Sequence, residues 1–473
     1  MTCQLPSDCL NEIFEYLEED MHTLYSCLLV NRLWCEISVR ILWRNVWNFG
    51  ISFQQDQILN TLISFLSNES KELLRENEIS ILIPTPKLPL FNYVAFCKVL
   101  SINLISEIVS DVLKDELLST KHLVTEEIIK MFANQITSLR KLLFYDNYIY
   151  FSFPHSPGLK NLSELCCSSN LSSKFFYQLS QICHNLHTLS IQLNHYDTPN
   201  ELIELISLQN NLQALTLSAY DNVSWKDIIP ALKNSFNTIT KLYLCGNRSD
   251  LPFSFIGLLP NLQEFIFSFV GGDYFEDFKQ LQHVNFPNLQ TLKFPYRYPR
   301  PEYIMKFLEN NGKNLKKFCI SDCNRELSSS IVNFCPNLKS LFKIFCNNEI
   351  DILKTIFNSC QYLESITIWC GKHYLSEKEV FETVAKYSSN NFYELKIDNI
   401  SHSDISSEDL ESFFISWKNR IPKRMLSLII IKDFYNNLDD YEENMKIIKK
   451  YENLGIIRFR TRTIEYEICE EEC

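Results

Sequence analysis

Residues 185–194 read Asn-Leu-His-Thr-Leu-Ser-Ile-Gln-Leu-Asn, and this short pattern sets the architecture expected for most of the chain. Leu186, Leu189 and Ile191 follow the spacing Leu-x-x-Leu-x-Leu. The last two of these positions are separated by one residue, as expected along a strand that buries one of its faces. The pattern therefore predicts a short strand, and its recurrence indicates how many such strands to expect.

The pattern recurs eleven times between residues 139 and 397, mostly with Leu, Ile or Phe at its apolar positions. The units begin at Leu139, Leu162, Leu186, Leu212, Ile239, Leu262, Leu289, Leu315, Leu338, Leu363 and Phe392. Successive first residues are 23 to 29 residues apart, which is the period of leucine-rich repeats with one strand and one helix per unit. A degraded twelfth unit is expected within residues 413–431. The predicted fold class is an α/β solenoid, with a parallel sheet on its concave face and helices on its convex face.

The residue eight places after the first apolar residue is Asn or Cys in six units, as leucine-rich repeats prefer. These residues are Asn147, Asn170, Asn194, Asn247, Cys323 and Cys346. Because the chain turns inward there, we expect these side chains to be buried, with Asn pairing with backbone groups that have left the sheet. Cys319 and Cys323 have no matching ligands nearby, so no metal site is predicted.

The first fifty residues have a different pattern. Pro6 suits the first turn of a helix, and Leu10, Ile13, Phe14 and Leu17 recur at helical spacing as one apolar stripe. Two further helical runs follow, and three of the six tryptophans lie between residues 34 and 47. Three helices of this size bury only a small core. We therefore expect this apolar surface to dock either on the next part of the chain or on a partner.

Three sequence blocks stand in this region: Leu5-Pro6 with Leu10, Ile13-Phe14 and Leu17; Leu29-Val30-Asn31-Arg32 with Trp34; and Ile41-Leu42-Trp43-Arg44. Over about residues 3–48 they resemble the F-box family, which often has Glu in place of Asp8. The resemblance implies docking on a Skp-type adaptor and, through it, on a cullin. By this resemblance the adaptor-binding residues would be Leu5, Pro6, Leu10, Ile13, Phe14, Leu17, Val30 and Trp34. Some of them could instead form only the core of the F-box.

F-box proteins with such repeats generally hold a target on the repeats. The resemblance therefore implies a substrate receptor of an SCF-type cullin–RING ubiquitin ligase, acting in ubiquitin-dependent degradation on an unknown target protein. A non-degradative interaction scaffold is the alternative. Side chains between the apolar strand positions point away from the core and are the predicted target-binding residues: Leu143, Ser190, Thr216, Tyr243, Lys293, Thr367 and Lys396.

Two loops differ from the rest of the repeats. Residues 295–301 combine Tyr296, Arg297 and Tyr298 with prolines, and these aromatic and Arg types are enriched at binding hot spots. The three residues are added to the target-binding set, although the loop could simply be a rigid connection into the next helix. Residues 269–275, with two glycines, are expected to be an insertion rather than a site.

Composition argues against several other functions. The net charge of −12 disfavours nucleic acid, which requires a basic face. No enzyme motif, metal site or cofactor site is expected. The sequence shows neither a signal peptide nor a membrane span. The 17 scattered cysteines suit a reducing compartment, so a cytoplasmic or nuclear location is expected.

Four regions are predicted. They are an F-box at 1–50, a linker helix with irregular first repeats at 51–135, leucine-rich repeats at 136–432, and an acidic C-terminal cap at 433–473. Within the second region, helices are expected at 58–66 and 126–133 and strands at 78–83 and 91–99.

Overall fold

A computed structural model describes residues 5–48, 55–77, 79, 89–145, 149, 157–194, 198–220, 223–432 and 437–463. The chain divides into two compact units, one of residues 1–218 with 222–238 and the other of residues 219–221 with 239–473. Several predicted features lie outside the described residues: most of the strand at 78–83, Asn147, and the acidic residues 470–472.

The first unit begins with helices and continues into repeats. Its helices are α1 (Ser7–Glu15), α2 (Met21–Cys27), α3 (Arg32–Leu42), α4 (Gln55–Ser64), α5 (Asn68–Glu76), α6 (Ile102–Val112), α7 (Leu118–Gln135), α8 (Ser173–Ser180) and α9 (Asn200–Ser207). Its strands are β1 (Val99–Ser101), β2 (Lys141–Phe144), β3 (Glu164–Ser168), β4 (Thr188–Leu193) and β5 (Ala214–Ala219). Strands β1 to β5 lie side by side in chain order, and the pairs from β1 to β4 are parallel.

The second unit continues the same arrangement. Its strands are β6 (Lys241–Gly246), β7 (Glu264–Phe269), β8 (Thr291–Phe294), β9 (Lys317–Ile320), β10 (Ser340–Lys343), β11 (Ser365–Cys370), β12 (Glu394–Asn399), β13 (Leu426–Lys432) and β14 (Ile457–Thr463). Its helices are α10 (Pro301–Asn311), α11 (Arg325–Phe334), α12 (Ile350–Ser359), α13 (Glu377–Tyr387), α14 (Ser407–Lys418) and α15 (Glu442–Asn453). Strands β6 to β14 pair in parallel, in chain order.

The predicted α/β repeat fold is confirmed, including the strand of the degraded unit, β13. Strands are linked by α-helices in most repeats and by short 3₁₀ turns in a few, such as Ser254–Leu258 and Glu276–Leu281. The region expected to form an acidic cap contains α15 and a further strand, β14, which pairs with β13 from Leu426↔Ile457 to Lys432↔Thr463.

Between the F-box region and the repeats, the two helices predicted at 58–66 and 126–133 are present as α4 and α7. The prediction of a strand at 91–99 is wrong. Residues Tyr93–Phe96 form a 3₁₀ turn, and extended structure begins only at Val99. The side chain of Asn92 accepts a hydrogen bond from the amide of Ala95, 3.4 Å away, which caps the turn locally.

Burial alternates along repeat strands such as β2, β4 and β5, whereas β3, β7, β11 and β13 bury most of their residues. In β4, Leu189 and Ile191 are buried while Ser190 between them is half-buried, because successive side chains point to opposite faces of a strand. Within each compact unit, the inward apolar residues of neighbouring repeats therefore pack together, as expected for stacked repeats.

The expected burial of the Asn and Cys residues is wrong. Asn194 and Cys323 are exposed, and Asn170, Asn247 and Cys346 are half-buried. The buried residue in several repeats lies one place before the position predicted. Examples are Ser169, Leu193, Phe345 and Asn399. The physical reason is that the two-residue alternation of the strand continues beyond the last apolar residue of the pattern. The residue seven places after the first apolar residue therefore points to the inner face, and the residue eight places after it does not.

Candidate functional site

The N-terminal helices enclose a small core of their own. Asp20 accepts a hydrogen bond from the amide of Thr23 and Asn31 one from the amide of Trp34, both at 3.0 Å, and these caps start α2 and α3. The core consists of Leu10, Phe14, Leu24, Cys27, Ile37, Ile41 and Leu42. Because the core is small, it leaves part of the apolar surface of these helices uncovered.

Helix α1 shows this most clearly. Phe14 is 2% exposed, whereas its neighbour Ile13 is 49% exposed and Tyr16 is 90% exposed. Leu10 is buried and Leu17 packs at the edge of the core. The apolar stripe predicted for this helix is therefore wider than the core, and Ile13 lies on the uncovered side of it.

The predicted adaptor-binding residues fall into three groups. Leu5, Pro6, Ile13 and Val30 are exposed, Leu17 and Trp34 are half-buried, and Leu10 and Phe14 are buried. The buried pair can support a contact surface but does not form one. Sequence reasoning omitted Tyr16 and Leu29, which are 90% and 89% exposed; their exposure beside the motif residues Ile13 and Val30 is the signal that identifies them.

The three tryptophans of this region pack against other residues of the first unit. Trp34 packs edge to face against Phe14, with ring centroids 5.1 Å apart. Trp43 stacks on Tyr93 at 4.7 Å, and the indole N–H of Trp47 donates to the carbonyl of Val99 at 2.7 Å. Trp43 and Trp47 thus dock on the next part of the chain, while the exposed residues of α1 and of the turn after α2 do not.

An ion pair fixes the end of α1. Arg44 Nη2 donates to Glu15 Oε1 at 2.6 Å, and Nη1 donates to Oε2. The hydrogen bond from Arg44 lowers the pKa of Glu15. The amide of Lys98 also donates to the Arg44 carbonyl at 2.8 Å. Helix α1, which carries Ile13 and is followed directly by Tyr16, is therefore held in a defined orientation on its own unit.

A second candidate site lies within the second unit. It is a groove of about 710 Å³ on the outer side of strands β8 to β13. Of the ten predicted target-binding residues, six line it: Lys293, Tyr296, Arg297, Tyr298, Thr367 and Lys396. The other four, Leu143, Ser190, Thr216 and Tyr243, are half-buried at outward strand positions and are not part of its lining.

The register of the strands arranges the groove. Lys293, Cys319, Phe342, Thr367 and Lys396 stand side by side, one on each strand from β8 to β12. This row, which we call the central row, has a cation at each end and the ring of Phe342 in the middle. Neighbouring strands are about 4.8 Å apart, so its two lysines are roughly 19 Å apart along the sheet.

Sequence reasoning omitted the aromatic floor of the groove. Phe342 and Trp369 both line it and lie edge to face, with ring centroids 6.2 Å apart. Both stand at strand positions between buried residues, and Phe342 is only half-buried. A large aromatic residue at an outward strand position is the sequence signal that could have identified them.

The loop at 295–301 forms one wall of the groove. The amide of Arg297 donates to the carbonyl of Phe269 at 2.8 Å, and the hydroxyl of Tyr298 donates to Asp322 at 2.8 Å. Burial and then this hydrogen bond raise the pKa of Tyr298. The same loop leads into α10 at Pro301, so it both connects to the helix and lines the groove.

The groove is more positive than the chain around it. Its lining includes four cationic side chains, Lys293, Arg297, Lys317 and Lys396, and one carboxylate, Asp398. Glu394 lies beside the groove, with its carboxylate 3.9 Å from the Lys396 ammonium. The groove therefore has a local excess of cations, although the whole chain has a net charge of −12.

Metal binding and membrane insertion are two other possible roles of a chain of this size. Within the described ranges, no group of three or more His, Cys, Asp or Glu side chains is placed to hold a metal ion. None of the helices in that same part of the chain combines the length and the apolar character that crossing a membrane requires.

Residues 2–48 match the model of the F-box-like family. The chain thus carries an F-box-like domain at its N-terminal end, followed by leucine-rich repeats. No curated protein matches the chain.

Among solved structures, the Rad7 and Elc1 complex in yeast is similar with a TM-score of 0.40 and 12% identity, over 92% of this chain and 96% of that chain. The leucine-rich repeat-containing protein LegL7 from Legionella pneumophila is similar with a TM-score of 0.33 and 15% identity, over 68% of this chain and 93% of that chain. Similarities at this level assign no function to the present chain.

Proposed function

We propose that this chain is the substrate-recognition subunit of an SCF-type cullin–RING ubiquitin ligase. In this role the F-box-like domain docks a Skp-type adaptor, which joins it to a cullin, and the repeats bind a target protein. The chain performs no catalysis itself. It holds the target near a ubiquitin-loaded enzyme and so accelerates transfer by proximity. We place this activity in the cytoplasm or nucleus.

The observation that carries the proposal is the F-box-like match at residues 2–48. The exposed apolar residues of the same segment support it. Leu5, Ile13 and Val30 belong to the F-box pattern and are each about half exposed, although the same domain has a well-formed core. Exposed apolar side chains above a formed core are typical of a surface that a partner covers.

The test is capture of the purified chain by a tagged Skp-type adaptor together with a cullin. The variant Leu5→Ala/Ile13→Ala/Val30→Ala removes exposed side chains only, so we expect it to fold and to lose the adaptor. The matched control is Leu258→Ala/Ile421→Ala/Leu454→Ala, which removes three exposed apolar residues of the second unit and should bind like the wild type.

Two results would count against the proposal. Failure of the folded wild type to bind the adaptor would leave the F-box-like domain without its proposed partner. Adaptor binding in a reconstituted ligase that ubiquitinates nothing held on the repeats would instead favour the interaction scaffold.

A further inference from the structure

We infer that the groove of the second unit binds an acidic segment of a partner protein, with one apolar side chain between two carboxylate-bearing residues. This inference rests on the proposed function, because it assigns the groove as the place where the receptor holds its target. It adds the chemistry of that target and the residues that recognise it.

Charge is the first argument. Lys293, Lys317 and Arg297 gather at the β8–β9 end of the groove, and Lys396 stands on β12 at the other end. The surrounding chain is acidic overall, so the groove differs from it in sign. Complementary charge steers a partner to the correct surface and suppresses partners of the wrong charge. An acidic segment therefore fits this groove better than a basic one.

Aromatic surface is the second argument. Phe342 and Trp369 lie between the two cationic ends. An aromatic floor offers an apolar side chain of the partner a place to be removed from water, and such anchors dominate binding energy. A free anion would leave this floor unused. The ligand therefore combines negative charge with at least one apolar residue.

The register of the strands determines the spacing expected between the acidic and apolar residues of the ligand. In the central row Phe342 is two strands from Lys293 and two strands from Lys396, or about 10 Å in each direction. An extended peptide advances ~3.3 Å per residue. The recognised pattern is therefore an apolar residue with acidic residues about three positions before and after it.

Carboxylates of the chain itself lie at the β12 end of the groove. Glu394 lies near Lys396 and accepts a hydrogen bond from the hydroxyl of Ser365 at 2.9 Å, and Asp398 lines the groove. A carboxylate of the ligand at this end therefore competes with them for Lys396.

The experiment is a fluorescence anisotropy titration of the full chain. The probe is a labelled nonapeptide with a central tryptophan and pairs of glutamates three positions away on each side. A peptide with Gln in place of Glu and an oligouridylate of equal charge are the comparison ligands. We expect the acidic peptide to bind best and its affinity to fall as salt is added, because charge attraction is screened.

Two groove variants test the assignment. Lys293→Glu/Lys317→Glu should weaken binding of the acidic peptide by at least about tenfold, and Trp369→Ala should do so by a similar factor through loss of the anchor. The control Lys423→Glu/Lys449→Glu makes the same charge change at two exposed lysines outside the groove and should bind like the wild type. Circular dichroism confirms that each variant is folded.

Four results would each overturn the inference. They are equal binding of the acidic and Gln peptides, tighter binding of the oligouridylate, an equal loss of peptide affinity in the control variant, and no peptide binding by the wild type. Adaptor capture is measured on the same variants. Loss of peptide binding with intact adaptor capture assigns the defect to the groove, and the reverse assigns it to the F-box-like domain.

Discussion

Glu377 is a carboxyl group buried at the start of α13. Its Oε1 accepts a hydrogen bond from Asn399 at 3.0 Å, and its Oε2 accepts one from the hydroxyl of Ser403. Burial raises the pKa of Glu377, while the hydrogen bonds oppose the rise. The folded chain therefore keeps a proton on this residue at a pH where the unfolded chain has released it.

We predict that Glu377→Gln becomes more stable relative to the wild type as pH rises. The stabilising contribution of a raised pKa is fully present below the unfolded value, about 4.3, and is lost as pH rises through the folded value. Gln stays neutral throughout and escapes this loss. Urea unfolding of both proteins between pH 4 and pH 8 measures the difference, and a difference that is constant or falls with pH would contradict the assignment.

Lys343 occupies the inward position that most other units fill with Leu, Ile or Phe. It is fully buried, and its ammonium donates to the carbonyls of Asp322 at 2.7 Å and Ile344 at 2.9 Å. Burial lowers the pKa of Lys343, while the nearby carboxylates of Glu349 and Asp322 raise it. The side chain therefore satisfies buried acceptors in place of an apolar contact.

We predict that Lys343→Met lowers the free energy of unfolding by about 1–3 kcal/mol, because two buried carbonyls lose their donor. Chemical denaturation measures this. Lys339→Met is the control, since its ion pair with Glu364 is on the surface and such pairs contribute little. A Lys343→Met protein as stable as the wild type would show that the cost of burying the charge cancels its hydrogen bonds.

In helix α1, two adjacent residues are expected to have different roles: Phe14 contributes to stability and Ile13 to adaptor binding. We predict that Phe14→Ala destabilises the three N-terminal helices by about 3–5 kcal/mol, because it leaves a cavity in a small core, whereas Ile13→Ala leaves their stability nearly unchanged. Hydrogen exchange of the amides of residues 7–42 measures both. Equal protection in the two variants would contradict the burial seen for this helix.

The sequence pattern predicts where helices and strands lie better than it predicts which of their faces are covered by other residues. The repeat strands follow from Leu-x-x-Leu-x-Leu, because alternation alone determines which residues point inward. The faces of α1 do not follow from helical spacing, because Ile13 and Phe14 belong to the same stripe and only the size of the core separates them. The strand expected at 91–99 failed because a local side-chain cap at Asn92 formed a 3₁₀ turn instead.

The candidate sites were predicted to different degrees. Six groove residues were recognised from their outward strand positions or from the composition of the 295–301 loop. Phe342 and Trp369 were not, because the pattern identifies positions that face outward but not which neighbouring strands bring them together. The register of β8 to β12 supplies that information, and it places a cation on either side of an aromatic floor.

In the whole molecule, the F-box-like domain and the groove are expected to carry two separate binding activities. We predict that Ile13→Asp abolishes adaptor capture without changing affinity for the acidic peptide, and that Trp369→Ala does the opposite. The pair of measurements on each variant checks this. A variant in either region that impairs both activities while the protein remains folded would contradict the separation.

In the proposed function, the F-box-like domain joins this chain to a cullin through an adaptor. Mass photometry of the chain with purified Skp-type adaptor and cullin measures this assembly. We expect one complex with a single copy of each component, and an apparent affinity weakened about a hundredfold in Leu5→Asp/Ile13→Asp/Val30→Asp, in which three exposed anchors are lost. A folded wild-type chain that remains free beside an assembled adaptor and cullin would contradict it.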